Sequence, residues 1–175
     1  MSVTFSAILT GAPDGRDDLV LQCSSLTANL RESTSSYVSL IVDPAQISDV
    51  LDRPNGKIDI YKSVNGATPV RLVSTNQQDA RLDYGGASRS YRLTGTTTSS
   101  FTPFGTPALY PQSVITDRLL EDGRKSWQID PSIDIQPGDT LSYYETGTPS
   151  VHTIDLVAIV ASAKSSQMII SEAVA

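Results

Sequence analysis

The chain has 175 residues and a formal net charge of −6, a length that suits one domain or two small ones burying about two-thirds of the surface their unfolded chain exposes. The acidic balance opposes a nucleic-acid role, because phosphate binding draws on clustered lysine and arginine. No apolar run approaches the roughly 20 residues of a membrane span, and the single cysteine, Cys23, excludes an internal disulfide.

The N-terminus has no basic segment followed by an apolar block, so a soluble, unprocessed chain is expected. Serine and threonine are abundant, aromatics few, and the apolar residues mostly valine, isoleucine and leucine, a blend suited to a sheet with one wet face.

In chain order, Ser2 to Thr10 alternates and predicts the first strand. Gly11 to Asp18 breaks it; its three aspartates read as a solvated turn, because they lack the alternating oxygen ligands and distal glutamate of a calcium loop. Leu19 to Arg31 and Ser36 to Asp43 form an expected strand pair, with Cys23 as a small buried hydrophobe. Asp43 before Pro44 predicts a short helix over Ala45 to Leu51, capped by the aspartate and stopped by Arg53-Pro54-Asn55-Gly56. Two Asn-Gly pairs, Asn55-Gly56 and Asn65-Gly66, bound a strand over Lys57 to Val64, which should form a hairpin with Val70 to Ser74.

A further hairpin is predicted from Ala80 to Tyr84 and Ser88 to Thr96 around Gly85-Gly86. It gathers Arg81, Arg89 and Arg92 among aspartates, and salt-bridge rungs are expected either within the sheet or against another subunit. Gly95 to Gln112 follows without a clear period and carries Phe101, Phe104, Leu109 and Tyr110. An arm this long is functional or mobile as a rule, so its aromatics either anchor on a neighbouring subunit or fold back over their own sheet. Ser113 to Asp122 fits a helix stopped by Gly123, although Val-Ile-Thr also suits a strand.

Pro137-Gly138-Asp139 carries the chemistry of a tight turn, with extended chain expected on both sides. His152 to Ser162 and Met168 to Ala173 then predict two antiparallel strands. The sum is a mainly β chain, an antiparallel β-sandwich or barrel of about eight to eleven short strands with one or two short helices and a long loop arm. It occupies 1–175 as a single domain, or as two tightly joined β halves, 1–97 and 113–175, linked by the arm 98–112.

No residue cluster spells out a reaction. His152 is the only histidine, and Asp155 would point to the opposite face of its strand, so the sequence favours a half-buried strand histidine over a Ser-His-Asp triad. One histidine and one cysteine cannot supply a zinc site, and no phosphate-cradling glycine motif occurs. No catalytic, metal-binding or cofactor-binding residue is therefore predicted.

Several phrases together carry a resemblance. Leu26 to Tyr37 (Leu-Thr-Ala-Asn-Leu-Arg-Glu-Ser-Thr-Ser-Ser-Tyr), Asn55 to Tyr61 (Asn-Gly-Lys-Ile-Asp-Ile-Tyr), Tyr84 to Gly95, Ile135 to Leu141 (Ile-Gln-Pro-Gly-Asp-Thr-Leu) and Gln167 to Glu172 (Gln-Met-Ile-Ile-Ser-Glu) are similar to segments of tail-tip and baseplate proteins of long-tailed bacteriophages. The likeness is to the hub and distal-tail group and covers about half the chain in pieces. It implies a tube- or hub-like β domain in the virion. Such a domain oligomerises into a ring and touches tail-tube, hub and fibre proteins, with neither membrane insertion nor specific nucleic-acid binding. The second reading is a carbohydrate- or receptor-binding β-sandwich using Tyr110, Trp127, Tyr143 and Tyr144. A small hydrolase working through His152 is the third.

Overall fold

The computed structural model describes residues 2–11, 15–32, 34–85, 88–98 and 100–173, with the backbone alone at 83–85, 88 and 89. Thirteen strands are found among the described residues, and antiparallel pairing dominates.

β1 (Val3–Thr10) runs along its whole length against β5 (Lys57–Val64), and on its other side it meets β2 (Leu19–Leu21) only at Ala7, Ile8 and Leu9. The expected strand over Leu19 to Arg31 divides at Gln22: its first three residues are β2, on β1, and only β3 (Cys23–Arg31) makes the predicted pair with β4 (Ser36–Val42). Between β4 and β5 the Asp43 carboxylate accepts from the Ala45 backbone N–H at 2.8 Å, opening a 3-10 turn over Pro44–Gln46 that runs into α1 (Ile47–Leu51). Arg53 ends it by donating from Nη1 to the Asp49 carbonyl at 2.8 Å, which meets one of the orphan acceptors of a helix C-terminus. Asn65 takes the left-handed backbone (φ 52°) that its turn needs, and its side-chain oxygen accepts from Ser2 N–H at 3.0 Å, closing the end of β1.

β6 (Val70–Gly85) is one long strand where the sequence suggests two, Val70 to Ser74 and Ala80 to Tyr84. A bulge near Gln77 carries it across the intervening polar residues, so it pairs first with β5 and then with β7 (Ser88–Thr97). β7 returns to β4. At Gly95 a Cβ would collide with Thr75 Oγ1 and crowd Ile58, so only glycine lets the strand pass this close over β6. Residues 86 and 87, at the expected hairpin tip, lie outside the described residues.

The second half of the chain joins the first through the sheet itself. β12 (Thr148–Ser162) pairs with β3, setting Ala161 opposite Leu26 and Ile159 opposite Ala28, and continues the order β2-β1-β5-β6-β7-β4-β3-β12-β13-β10-β9. β13 (Ser166–Glu172), β10 (Lys125–Ile129) and β9 (Val114–Leu119) complete this path. The segment open to a helix or a strand reading is therefore a strand. Its β-branched Val114, Ile115 and Thr116 suit extended chain, and only a 3-10 turn over Pro111–Ser113 precedes it. β12 bends at Ile154 and Leu156, and its first part leaves the main sheet to pair with β11 (Thr140–Thr146), which in turn takes β8 (Ala108–Leu109) in parallel.

The mainly antiparallel β architecture is thus as expected, with one short helix. The sheet curls until β1 approaches β3 but does not close. Leu9, Leu30, Leu40, Ile58, Ile60, Leu93 and Ile159 fill its concave side, and Trp127, Ile129, Leu141 and Ile154 continue the same buried cluster under β10 to β12. Lys62, buried on β5, reaches across with Nζ 2.8 Å from both the Ile133 carbonyl and Asp134 Oδ1. No helix among the described residues is long and apolar enough to cross a membrane.

Candidate functional site

The arm is held down at its centre by the Pro137-Gly138-Asp139 turn. Gly138 adopts φ 89°, and the chain before the turn, expected to be extended, forms no strand. The reason is local: Asp139, fully buried, uses both carboxylate oxygens, Oδ2 accepting from Gln136 N–H at 2.6 Å and Oδ1 from Gly105 N–H at 2.9 Å. The first bond winds the turn; the second fastens the arm. Pro107 and Gly105 carbonyls then accept from Ser142 and Thr140, so that Ala108–Leu109 adds to β11 as a short parallel strand.

The aromatics and Leu109 separate in consequence. Leu109 is completely buried and anchors the arm in the chain's own core. Phe101 packs partly against that core, and its N–H donates to Glu32 Oε2 at 3.4 Å. Phe104 and Tyr110 remain at the surface, and Tyr110 stacks on Tyr144 with ring centroids 5.1 Å apart. Trp127 and Tyr143 are buried, which removes two of the four aromatics a sugar platform would need.

In the arginine hairpin the directly opposed positions are not acid–base pairs. Its register puts Arg81 across from Arg92 and Asp83 across from Ser90, so no directly opposed pair among them joins an acid to a base. Arg92 Nη1 donates to Ser39 Oγ at 3.4 Å. The Arg89 side chain lies outside the described residues.

His152 is a half-buried strand histidine in a more ordered setting than the sequence shows. Its Nδ1 is 2.7 Å from Glu172 Oε2 and its Nε2 is 2.8 Å from Ser150 Oγ, while Glu172 Oε1 accepts from Lys125 N–H at 2.6 Å. The ring meets Trp127 edge-on at 5.0 Å. Asp155, the acid nearest in sequence, faces elsewhere and lies 3.6 Å from Arg31. Ser150 and His152 share a strand face at spacing two, which the sequence does display. Glu172 becomes a neighbour only through the β12–β13 pairing.

Cys23 lines a cleft between β1 and the turn joining β12 to β13. Burial pushes its thiol up to about 11. A raised thiol pKa leaves only about one molecule in a thousand as thiolate at pH 8. Alkylation of the folded protein is therefore expected to run at least about 100-fold slower than in denaturant, rising about tenfold per pH unit until pH 11. A maleimide or disulfide-exchange time course at several pH values checks this. No group of three or more His, Cys, Asp or Glu among the described residues is arranged to hold a metal ion.

The open, curled antiparallel sheet of this chain has counterparts among solved structures. The chain is similar to the tail protein from Neisseria meningitidis MC58, with a TM-score of 0.60 at 6% identity over 98% of this chain and 96% of that one. It is likewise similar to the 43 kDa tail protein of prophage MuSo2 from Shewanella oneidensis, with a TM-score of 0.56 at 5% identity over 97% of each chain. A third likeness is to the E. coli c3393 protein, a type VI secretion system component with structural similarity to the T4 bacteriophage tail proteins gp27 and gp5. There the TM-score is 0.51 at 7% identity, covering 98% of this chain and 76% of that one. No family model matches the chain, and no curated protein matches it by sequence.

Proposed function

We propose that this chain is a structural component of a bacteriophage-type tail tip or baseplate. It oligomerises into a ring and connects the tail tube to hub or fibre proteins. The observation that carries the reading is the likeness of fold, over nearly the whole chain, to two tail proteins from different bacteria. Ring subunits need a head-to-tail contact between two different surfaces, one that closes by rotation. This sheet supports that need by ending in different strands, β2 and β9. Phe104 and Tyr110 on the arm, with the Arg81 and Arg92 hairpin, are the surfaces offered to neighbouring rings.

Native mass spectrometry and negative-stain imaging test the reading. A discrete ring, and the chain's presence in purified particles, is the expected result. A monomer at all concentrations that binds glycans would transfer the function to the receptor-binding reading.

A hydrolase reading draws on one observation, the Ser150–His152–Glu172 relay, whose spacing matches a nucleophile, base and orienting acid. Fluorophosphonate labelling of Ser150 that disappears in His152→Ala would favour it. An unlabelled protein leaves the relay as a tie between β12 and β13.

A further inference from the structure

Two incomplete surfaces lie at opposite ends of the sheet. At one end β9 pairs, among the described residues, with β10 alone and leaves its other edge open. Ile115 and Leu119 on this strand are 60% and 73% exposed; Asp117 and Leu119 stand opposite Trp127 and Lys125, and the bulge opposite Gln128 and Ile129 falls at Ile115. An edge strand with unpaired backbone groups and apolar side chains is a template for adding another strand. Natural monomers blunt such an edge, and here the apolar pair does the opposite.

At the other end, β2 covers β1 only from Ala7 to Leu9, and Val3 to Ser6 have no strand partner on that side among the described residues. The space beside them is a cleft of about 620 Å³ bounded by Ser2–Ala7 and by the turn Ala161–Ser166. Its lining includes Phe5, Leu21, Cys23, Leu26 and Ala161, and Lys164 stands on the turn at its border. The cleft thus offers backbone pairing along one wall, a few apolar side chains such as Phe5 in a mostly polar lining, and one cation.

We propose that β9 of one copy adds to the uncovered half of β1 in a second copy, head to tail, and that this contact closes the ring. Leu119 and Ile115 pack against the apolar side chains of the cleft, Phe5 first among them. Asp117, on the face of Leu119, pairs with Lys164. A second copy is the occupant because the chain itself carries the matching piece: an unpaired strand with the complementary charge, at the far end of the same sheet. Joining opposite ends of one sheet makes a heterologous contact, which yields a ring when the rotation closes, and the backbone ladder follows the usual mode of strand addition. The inference rests on the ring reading above.

Two experiments test it. In Ile115→Lys/Leu119→Lys, both changed side chains are already exposed, so the monomer should unfold at the same temperature as wild type. Its self-association Kd should rise at least about 100-fold, because two side chains that become buried in the contact turn into charges. Site-directed cross-linking supplies the pairing. In a Cys23→Ala background, a chain with Thr116→Cys mixed with one carrying Thr4→Cys or Ser6→Cys should be joined by a short bismaleimide, and none of the three alone should be.

If wild type forms rings that the double variant leaves intact, or the mixed cross-link is absent, the β9–β1 contact is overturned while the ring stands. Cross-linking of the Thr116→Cys chain with itself would replace head-to-tail addition by a two-fold β9–β9 pairing, and overturn the proposal. A wild-type chain monomeric at every concentration sinks both ring and contact.

Discussion

Replacing Trp127 with alanine is expected to lower the unfolding free energy by about 4 kcal/mol, the middle of the range for deleting a large buried aromatic. Trp127 is fully buried on β10, between β13 and β9, and meets Tyr143 edge-on at 5.8 Å and His152 at 5.0 Å. Both ring contacts fall inside the preferred range for edge-to-face pairs. Alanine leaves a cavity beneath the strand pair that carries β9, so β9 should exchange its amide hydrogens faster before the rest of the sheet does. Trp127→Phe should lose much less. The indole Nε1–H is buried with no acceptor among the described residues, and phenylalanine removes that donor together with part of the ring area. Urea unfolding followed by far-ultraviolet circular dichroism measures both variants. Equal losses for alanine and phenylalanine would show that the indole donor carries no penalty.

The second large effect is expected at Asp139. Asp139→Ala should destabilise the fold by roughly 3 kcal/mol, because two hydrogen bonds to a buried carboxylate vanish and the N–H groups of Gly105 and Gln136 lose their acceptor. The two bonds differ in what they hold: the Gln136 bond shapes the turn, the Gly105 bond fastens the arm. Residues 100–107 should consequently become the first site of limited proteolysis in the variant, while wild type resists there. Asp139→Asn tests the division. It keeps an oxygen for one N–H and sets an amide against the other, so it should recover part of the stability. An arm no more sensitive to protease in Asp139→Ala would mean that the β8–β11 pairing and buried Leu109 suffice to hold it.

Residues whose conformation follows from their immediate neighbours are legible in the chain's own letters. Asp43 and Pro44 open the short helix because a carboxylate can reach the second N–H beyond it and proline has none to lose. Asn65 turns the chain because its side chain tolerates a left-handed backbone. The Lys57–Val64 and Val70 hairpin and the β3–β4 pair obey the same local logic, as does the β12–β13 pair. Where the sequence allows two readings, local chemistry is balanced and a distant partner decides: Ser113 to Asp122 holds β9 because β10 offers it a ladder. The arm folds back because Asp139, thirty-four residues after Gly105, supplies the acceptor its backbone lacks.

The candidate site divides in the same way. His152 and Ser150 share a face by period two, which is legible, whereas Glu172 completes the relay from twenty residues away. The exposed state of Ile115 and Leu119 has no signature in their letters, for the same alternation would serve a buried strand.

Sequence alone determined that this chain is an acidic, turn-rich β protein with a capped short helix, because turns, caps and strand alternation are set by interactions within a few residues. Only the tertiary structure decided that β3 joins β12, that the sheet stays open, and that β9 and the uncovered half of β1 lie at its two ends. Those outcomes depend on backbone groups far apart in the chain satisfying one another, and a strand's sequence names no partner.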